Sequence, residues 1–183
     1  MFSRSTTMGM ESVLQRGSII SAIKVPTIIF PISACITAMF MMSLEFLILF
    51  VFMVFFHYLP PITMLFLPIA IGLLFFLGLG LAIPFSVINV HYRDLRSIWT
   101  IVMQALFFST PIVYKLDFLP ESIRSILQYS PLVQIIDMTR DVVLEGKLPA
   151  NIWLLYTVVS VFVIFLIGLM VFKYYRRNLV ETI

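Results

Sequence analysis

The residues able to do chemistry in this chain are few, and their spacing argues against catalysis. There are 9 acidic residues, 2 histidines and 1 cysteine among 183. His57 and His91 flank apolar runs with no His, Cys or carboxylate partner at ligand spacing, so no metal site is expected. No GxxxxGK[ST] loop is present to cradle ATP phosphates, and no HExxH, CxxC or GxSxG occurs. Catalytic residues are therefore expected to be none. What remains is binding and mechanical chemistry. His91-Tyr92-Arg93-Asp94-Leu95-Arg96 is a compact charged turn, and Glu11, Gln15 and Arg16 form a second polar group near the N-terminus. A third group, Trp99, Gln104, Phe107, Phe108, Ser109 and Tyr114, sets polar and aromatic side chains within an apolar run. A carboxylate, Glu45, stands alone in the middle of another.

The elements that position these groups are membrane spans. At 61% hydrophobic and 11% charged residues, the chain is too apolar for a water-soluble domain. The expected class is all-α: a polytopic transmembrane bundle of four spans, about 27–56, 62–90, 98–114 and 152–172, with a re-entrant or interfacial helix pair over 115–151. Residues 1–25 read as an amphipathic cytoplasmic segment preceding a transmembrane domain over 26–183. Gly72, Gly78 and Gly80 mark close helix packing, and Pro84 a kink. In the 115–151 region, Pro120-Glu121 suits the start of one short helix; Ser130-Pro131 starts a second that Gly146 ends. Its charges, Asp137, Arg140, Asp141 and Glu145, exclude lipid exposure.

Glu45 facing lipid would cost several kcal/mol, so it is expected to face protein or water. Basic residues set the topology. Arg4, Arg16, Lys24, Arg93, Arg96, Lys173, Arg176 and Arg177 fall on one side, eight in all, against Lys115, Arg124, Arg140 and Lys147 on the other. Both termini are thus expected in the cytoplasm and the helix pair outside. The formal charge of +3 is accounted for by these anchors, and no nucleic-acid partner is expected.

Tyr92-Arg93-Asp94-Leu95, then Ser109-Thr110-Pro111-Ile112-Val113-Tyr114, Leu119-Pro120, and Ser130-Pro131-Leu132 with Arg140 and Gly146, in this order and spacing, resemble the ABC-2 class of ABC-transporter permeases. The branch most similar exports O-antigen, capsule or teichoic acid. That family has six spans, and the match begins after the second, so the resemblance implies a chain lacking the family's first two. It implies a bacterial inner-membrane exporter permease, paired with a second copy and with an ABC ATPase that binds ATP and Mg, this chain holding no cofactor itself. Glu11, Gln15, Arg16, Arg93, Asp94 and Arg96 would then lie on the ATPase side. Trp99, Gln104, Phe107, Phe108 and Tyr114, with Glu45, would serve the substrate path, aromatic faces stacking weakly on sugar rings. A drug or lipid exporter shares this architecture. A membrane-embedded transferase or a non-functional truncated fragment are the readings from other classes.

Overall fold

A computed structural model describes residues 1–16, 25–57, 61–110 and 120–176. The helices are α1 (Phe2–Ser12), α2 (Ile29–Phe55), α3 (Leu67–His91), α4 (Leu95–Ser109), α5 (Glu121–Leu127), α6 (Pro131–Arg140) and α7 (Asn151–Tyr175). No strand occurs among the described residues. Three helical stretches, Ile29–Phe55, Ile62–His91 and Asn151–Tyr175, are long and apolar enough to cross a membrane. The all-α membrane bundle expected from composition is what forms.

α2 has 27 residues, about 40 Å at 1.5 Å per residue, which exceeds a ~30 Å hydrocarbon core and requires tilt. Pro31 sits in its first turn, where no intrahelical partner for its nitrogen is needed. The chain then reverses at His57, whose φ of 56° lies in the left-handed region that histidine tolerates better than branched residues do. A 3-10 turn over Ile62–Phe66 leads into α3.

α3 is the axis of the bundle. Its buried residues include Leu73, Leu77, Ala82, Ile83 and Val87, and α1, α2, α6 and α7 all pack on it. α7 runs parallel to it: Val161 meets Leu73 and Leu77, while Phe172 joins Ile83 and Val87. Small residues bring the two backbones together. A Cβ at Gly168 would collide with the Gly80 carbonyl oxygen, and one at Gly80 would lie 3.1 Å from the Phe165 backbone. Gly80 is four residues before Pro84, which lies within α3. Because proline has no N–H, the Gly80 carbonyl loses its helical donor, and the glycine of α7 lies against that oxygen. Gly72 differs from the other two: nothing lies within 4 Å of where its Cβ would be. It therefore does not mark a helix contact as the sequence reading expects.

The other elements depart from the simplest reading in informative ways. The described part of residues 1–25 is packed into the bundle. Ser5, Thr6, Gly9, Met10 and Ser12 are buried, Ser5 beside Gly78 and Gly9 against Ala82, so α1 runs along the second half of α3. The span expected over 98–114 overlaps α4, which starts earlier at Leu95 and has 15 residues, or about 22 Å, short of a full crossing; residues 111–119 lie outside the described residues. α5 and α6 are short, as expected. α6 packs inward, Ile135 against Leu73, Leu77 and Val161, and the Thr63 hydroxyl donates to the Val142 carbonyl at 2.7 Å. Ser130 and Pro131 open α6, and a π turn over Asp141–Glu145 ends at Gly146 with φ 65°.

Candidate functional site

Two constellations carry the sequence-predicted residues. The first is a charged corner where α1 ends, α3 ends and α4 begins. Arg96 Nε lies 2.8 Å from Glu11 Oε1; Arg96 is 66% exposed and Glu11 17%. Gln15 Nε2 donates to Glu11 Oε2 at 2.8 Å. Beneath them buried Asn89 donates to the Met10 carbonyl at 3.3 Å, and its amide oxygen has no hydrogen-bond partner among the described residues. Arg93 and Asp94 occupy the exposed turn before α4 and, with His91 and Tyr92, line an open hollow of about 640 Å³. Arg16 points elsewhere: its guanidinium stands 5.5 Å from the Phe30 ring centroid and Nη1 donates to Ser33 Oγ at 3.4 Å. Folding thus joins Glu11, Gln15 and Arg96, sets Arg93 and Asp94 beside them, and turns Arg16 toward the foot of α2.

The second constellation is α4. Leu95, Trp99, Met103 and Leu106 recur at helical spacing and are half-buried. Trp99 is the anchor of this face. Its Nε1 donates to Thr6 Oγ1 at 3.0 Å, and its ring meets Phe85 edge to face at 4.6 Å. Ser97, Thr100, Gln104, Phe107 and Phe108 share a different face and are exposed. The Thr100 hydroxyl donates to the Arg96 carbonyl at 2.9 Å. Gln104 has no such hydrogen bond among the described residues. The Phe107 and Phe108 rings lie 5.6 Å apart, edge to face. An open stripe of hydroxyl, amide and aromatic groups on an otherwise apolar helix suits weak contacts with hydroxylated groups and has no arrangement for breaking bonds. Tyr114, Lys24, Lys115 and Arg177 lie outside the described residues.

Glu45 is held by α1. Arg4 Nη1 donates to its Oε1 at 2.7 Å, so the carboxylate at mid-helix does find protein. Sequence reasoning asked for that partner but could not name Arg4, which is 41 positions away. Asn89 and Thr6, which tie α1 to α3 and α4, were missed as well. Single polar residues in spans carry no sign of which neighbour they meet. No group of three or more His, Cys, Asp or Glu able to hold a metal occurs among the described residues.

No family model matches the chain. It is 29% identical over 187 residues to the O-antigen export system permease protein RfbA of Klebsiella pneumoniae, covering 100% of this chain and 70% of that protein. A second Klebsiella pneumoniae protein of that name is 31% identical over 153 residues, 80% of this chain and 57% of the relative. The polysialic acid transport protein KpsM of Escherichia coli is 26% identical over 102 residues, 56% of this chain and 40% of the relative. The chain thus spans between 40% and 70% of the length of these relatives. With a helical membrane bundle beneath the Arg93 and Ser130-Pro131 motifs, and similarity reaching across its whole length, the chain is a relative of the ABC-2 type permeases of polysaccharide export.

Proposed function

We propose that the chain is the transmembrane permease subunit of an ABC exporter that moves a polysaccharide or lipid-linked glycan across the bacterial cytoplasmic membrane. The observation that carries this reading is the similarity over the whole chain to an O-antigen export permease. The exposed stripe of α4 supports it physically. Polar side chains at membrane depth are tolerated where they face protein or water, and a conduit needs sites weak enough to release what they hold. Two copies, each presenting α4 across a shared path, would give the stripe an aqueous face. Gln104, Phe107 and Phe108 are the proposed path residues. Trp99 braces the helix behind them, Tyr114 would extend the stripe, and Glu45 with Arg4 stabilises the α1 to α2 contact.

The energy comes from a separate ATPase subunit, which binds ATP and Mg; this chain has no phosphate-binding loop of its own. The charged corner is its proposed landing site. The Arg93 turn lies on the cytoplasmic side, the side that its arginines and Lys173 and Arg176 at the end of α7 favour, with α5 and α6 outside. A force on the Arg93 turn acts directly on the first turn of α4, and the Glu11 to Arg96 contact links it to α1. Deleting the gene in its native host should abolish surface polysaccharide and leave the glycan inside the cell, with complementation restoring export. Unchanged surface polysaccharide in the deletion strain would overturn the reading.

A further inference from the structure

The short helices α5 and α6 enclose a cavity with the start of α7, apart from the α4 stripe. It measures about 270 Å³ and lies between α5, α6 and the start of α7, lined by Arg124, Gln128, Gln134, Asp137, Asp141 and Trp153. This is just under the ~300 Å³ at which small-molecule pockets commonly begin, room for one sugar ring. Its wall has the composition of a pocket built for a ligand. Trp153 is half-buried and held by two tyrosines, its ring centroid 6.2 Å from both Tyr129 and Tyr156, while Tyr156 Oη donates to the Tyr129 carbonyl at 2.9 Å. Gln134 is only 8% exposed, and its amide N–H donates to the Gln128 carbonyl at 2.6 Å. Gln134 thus brings a positioned amide to the cavity lining.

Charge decides what fits. Arg124, Asp137 and Asp141 line the cavity, and Asp137 accepts from Arg140 Nη1 at 3.0 Å just behind the wall, so two cations offset two carboxylates. A balanced wall favours a neutral ligand over an ion. The density of donors and acceptors disfavours an acyl chain, because each would lose water without a replacement partner. An indole beside planar amide, carboxylate and guanidinium groups suits a neutral ligand with an apolar C–H face and a rim of hydroxyls. We infer that this outer cavity binds one neutral pyranose unit of a saccharide, outside the transport path. The inference rests on the polysaccharide reading for the source of that unit, since the exported chain emerges on this side.

The test uses the purified full-length chain in lipid nanodiscs, titrated with glucose, galactose, mannose and N-acetylglucosamine while tryptophan fluorescence is followed. At least one sugar should give a saturable change in the millimolar range. Trp153→Phe should remove that change. Asp141→Asn and the exposed-rim variant Arg124→Gln should weaken binding by about tenfold through lost hydrogen bonds. Helical content by circular dichroism should stay at the wild-type level, and Arg124→Gln, changing an exposed side chain, keeps the test valid if a buried variant misfolds. No saturable response to any of the four sugars, or equal affinity in wild type and Arg124→Gln, overturns the inference. Failure of binding in a chain that still exports polysaccharide condemns the site alone. Binding in a chain whose deletion leaves surface polysaccharide intact condemns the export reading alone.

Discussion

Arg4 and Glu45 pose the clearest question at the level of single residues, because both lie in a region built for hydrocarbon. Their contact at 2.7 Å gives each charge a partner, and losing one leaves the other uncompensated. Arg4→Ala should therefore lower the temperature at which the detergent-solubilised protein aggregates, as read by size-exclusion after heating. Adding Glu45→Gln to it should recover most of the loss; additive losses would show that the pair is not coupled. The charged corner yields a second expectation. Arg96→Glu places two carboxylates together and should reduce export several-fold, while the exchange Glu11→Arg with Arg96→Glu should restore part of it. Quantified surface polysaccharide measures both. The sequence shows that Glu45 needs a protein or aqueous neighbour, from charge and hydropathy alone. It does not show that the neighbour is Arg4, because a contact across 41 residues depends on how two helices are rotated against each other.

At the level of elements, the contact between α3 and α7 depends on side chains that are absent. With Gly80 freed of a helical partner by Pro84 and Gly168 lying against its carbonyl, a side chain at Gly168 has nowhere to go. Gly168→Val should cost roughly 1–3 kcal/mol or more through overpacking and appear as reduced yield and a lower unfolding temperature. Gly72→Ala should be neutral or slightly stabilising, since nothing lies near its Cβ and alanine is the better helix former. A loss at Gly72 equal to that at Gly168 would contradict the packing described. Long apolar runs made α2, α3 and α7 legible from hydropathy, and Pro131 with Gly146 made the limits of α6 and its π turn legible from turn chemistry. The position of α1 was not legible. Its serines, threonines and Gly9 read as a polar flank by composition, yet small side chains are what let it approach Gly78 and Ala82 closely.

In the whole molecule, one bundle carries a charged corner, a stripe along α4 and the short helices α5 and α6. Whatever moves the Arg93 turn moves the helix that bears Gln104, Phe107 and Phe108. Replacing Phe107 and Phe108 with Ala should impair export while leaving membrane insertion intact, as read by surface polysaccharide and by alkaline-resistant membrane fractionation; normal export would remove these two residues from the path. The class of the molecule and its kinship could be read from composition and from ordered short motifs. The location of the stripe could be read in part, since Gln104 and its phenylalanines are conspicuous in an apolar run. That Trp99 serves as a brace followed only once Thr6 and Phe85 were seen around it. The central claim is that this chain works as the membrane half of an ATP-driven exporter. Its most direct test is affinity purification of the tagged chain from native membranes, with the neighbouring genes expressed, followed by identification of co-purifying chains and an ATPase assay. The expected result is a stoichiometric partner bearing a GxxxxGK[ST] loop and vanadate-sensitive ATP hydrolysis that falls when the Arg93 turn is reversed in charge. A chain that purifies folded, alone and without ATPase activity would contradict it.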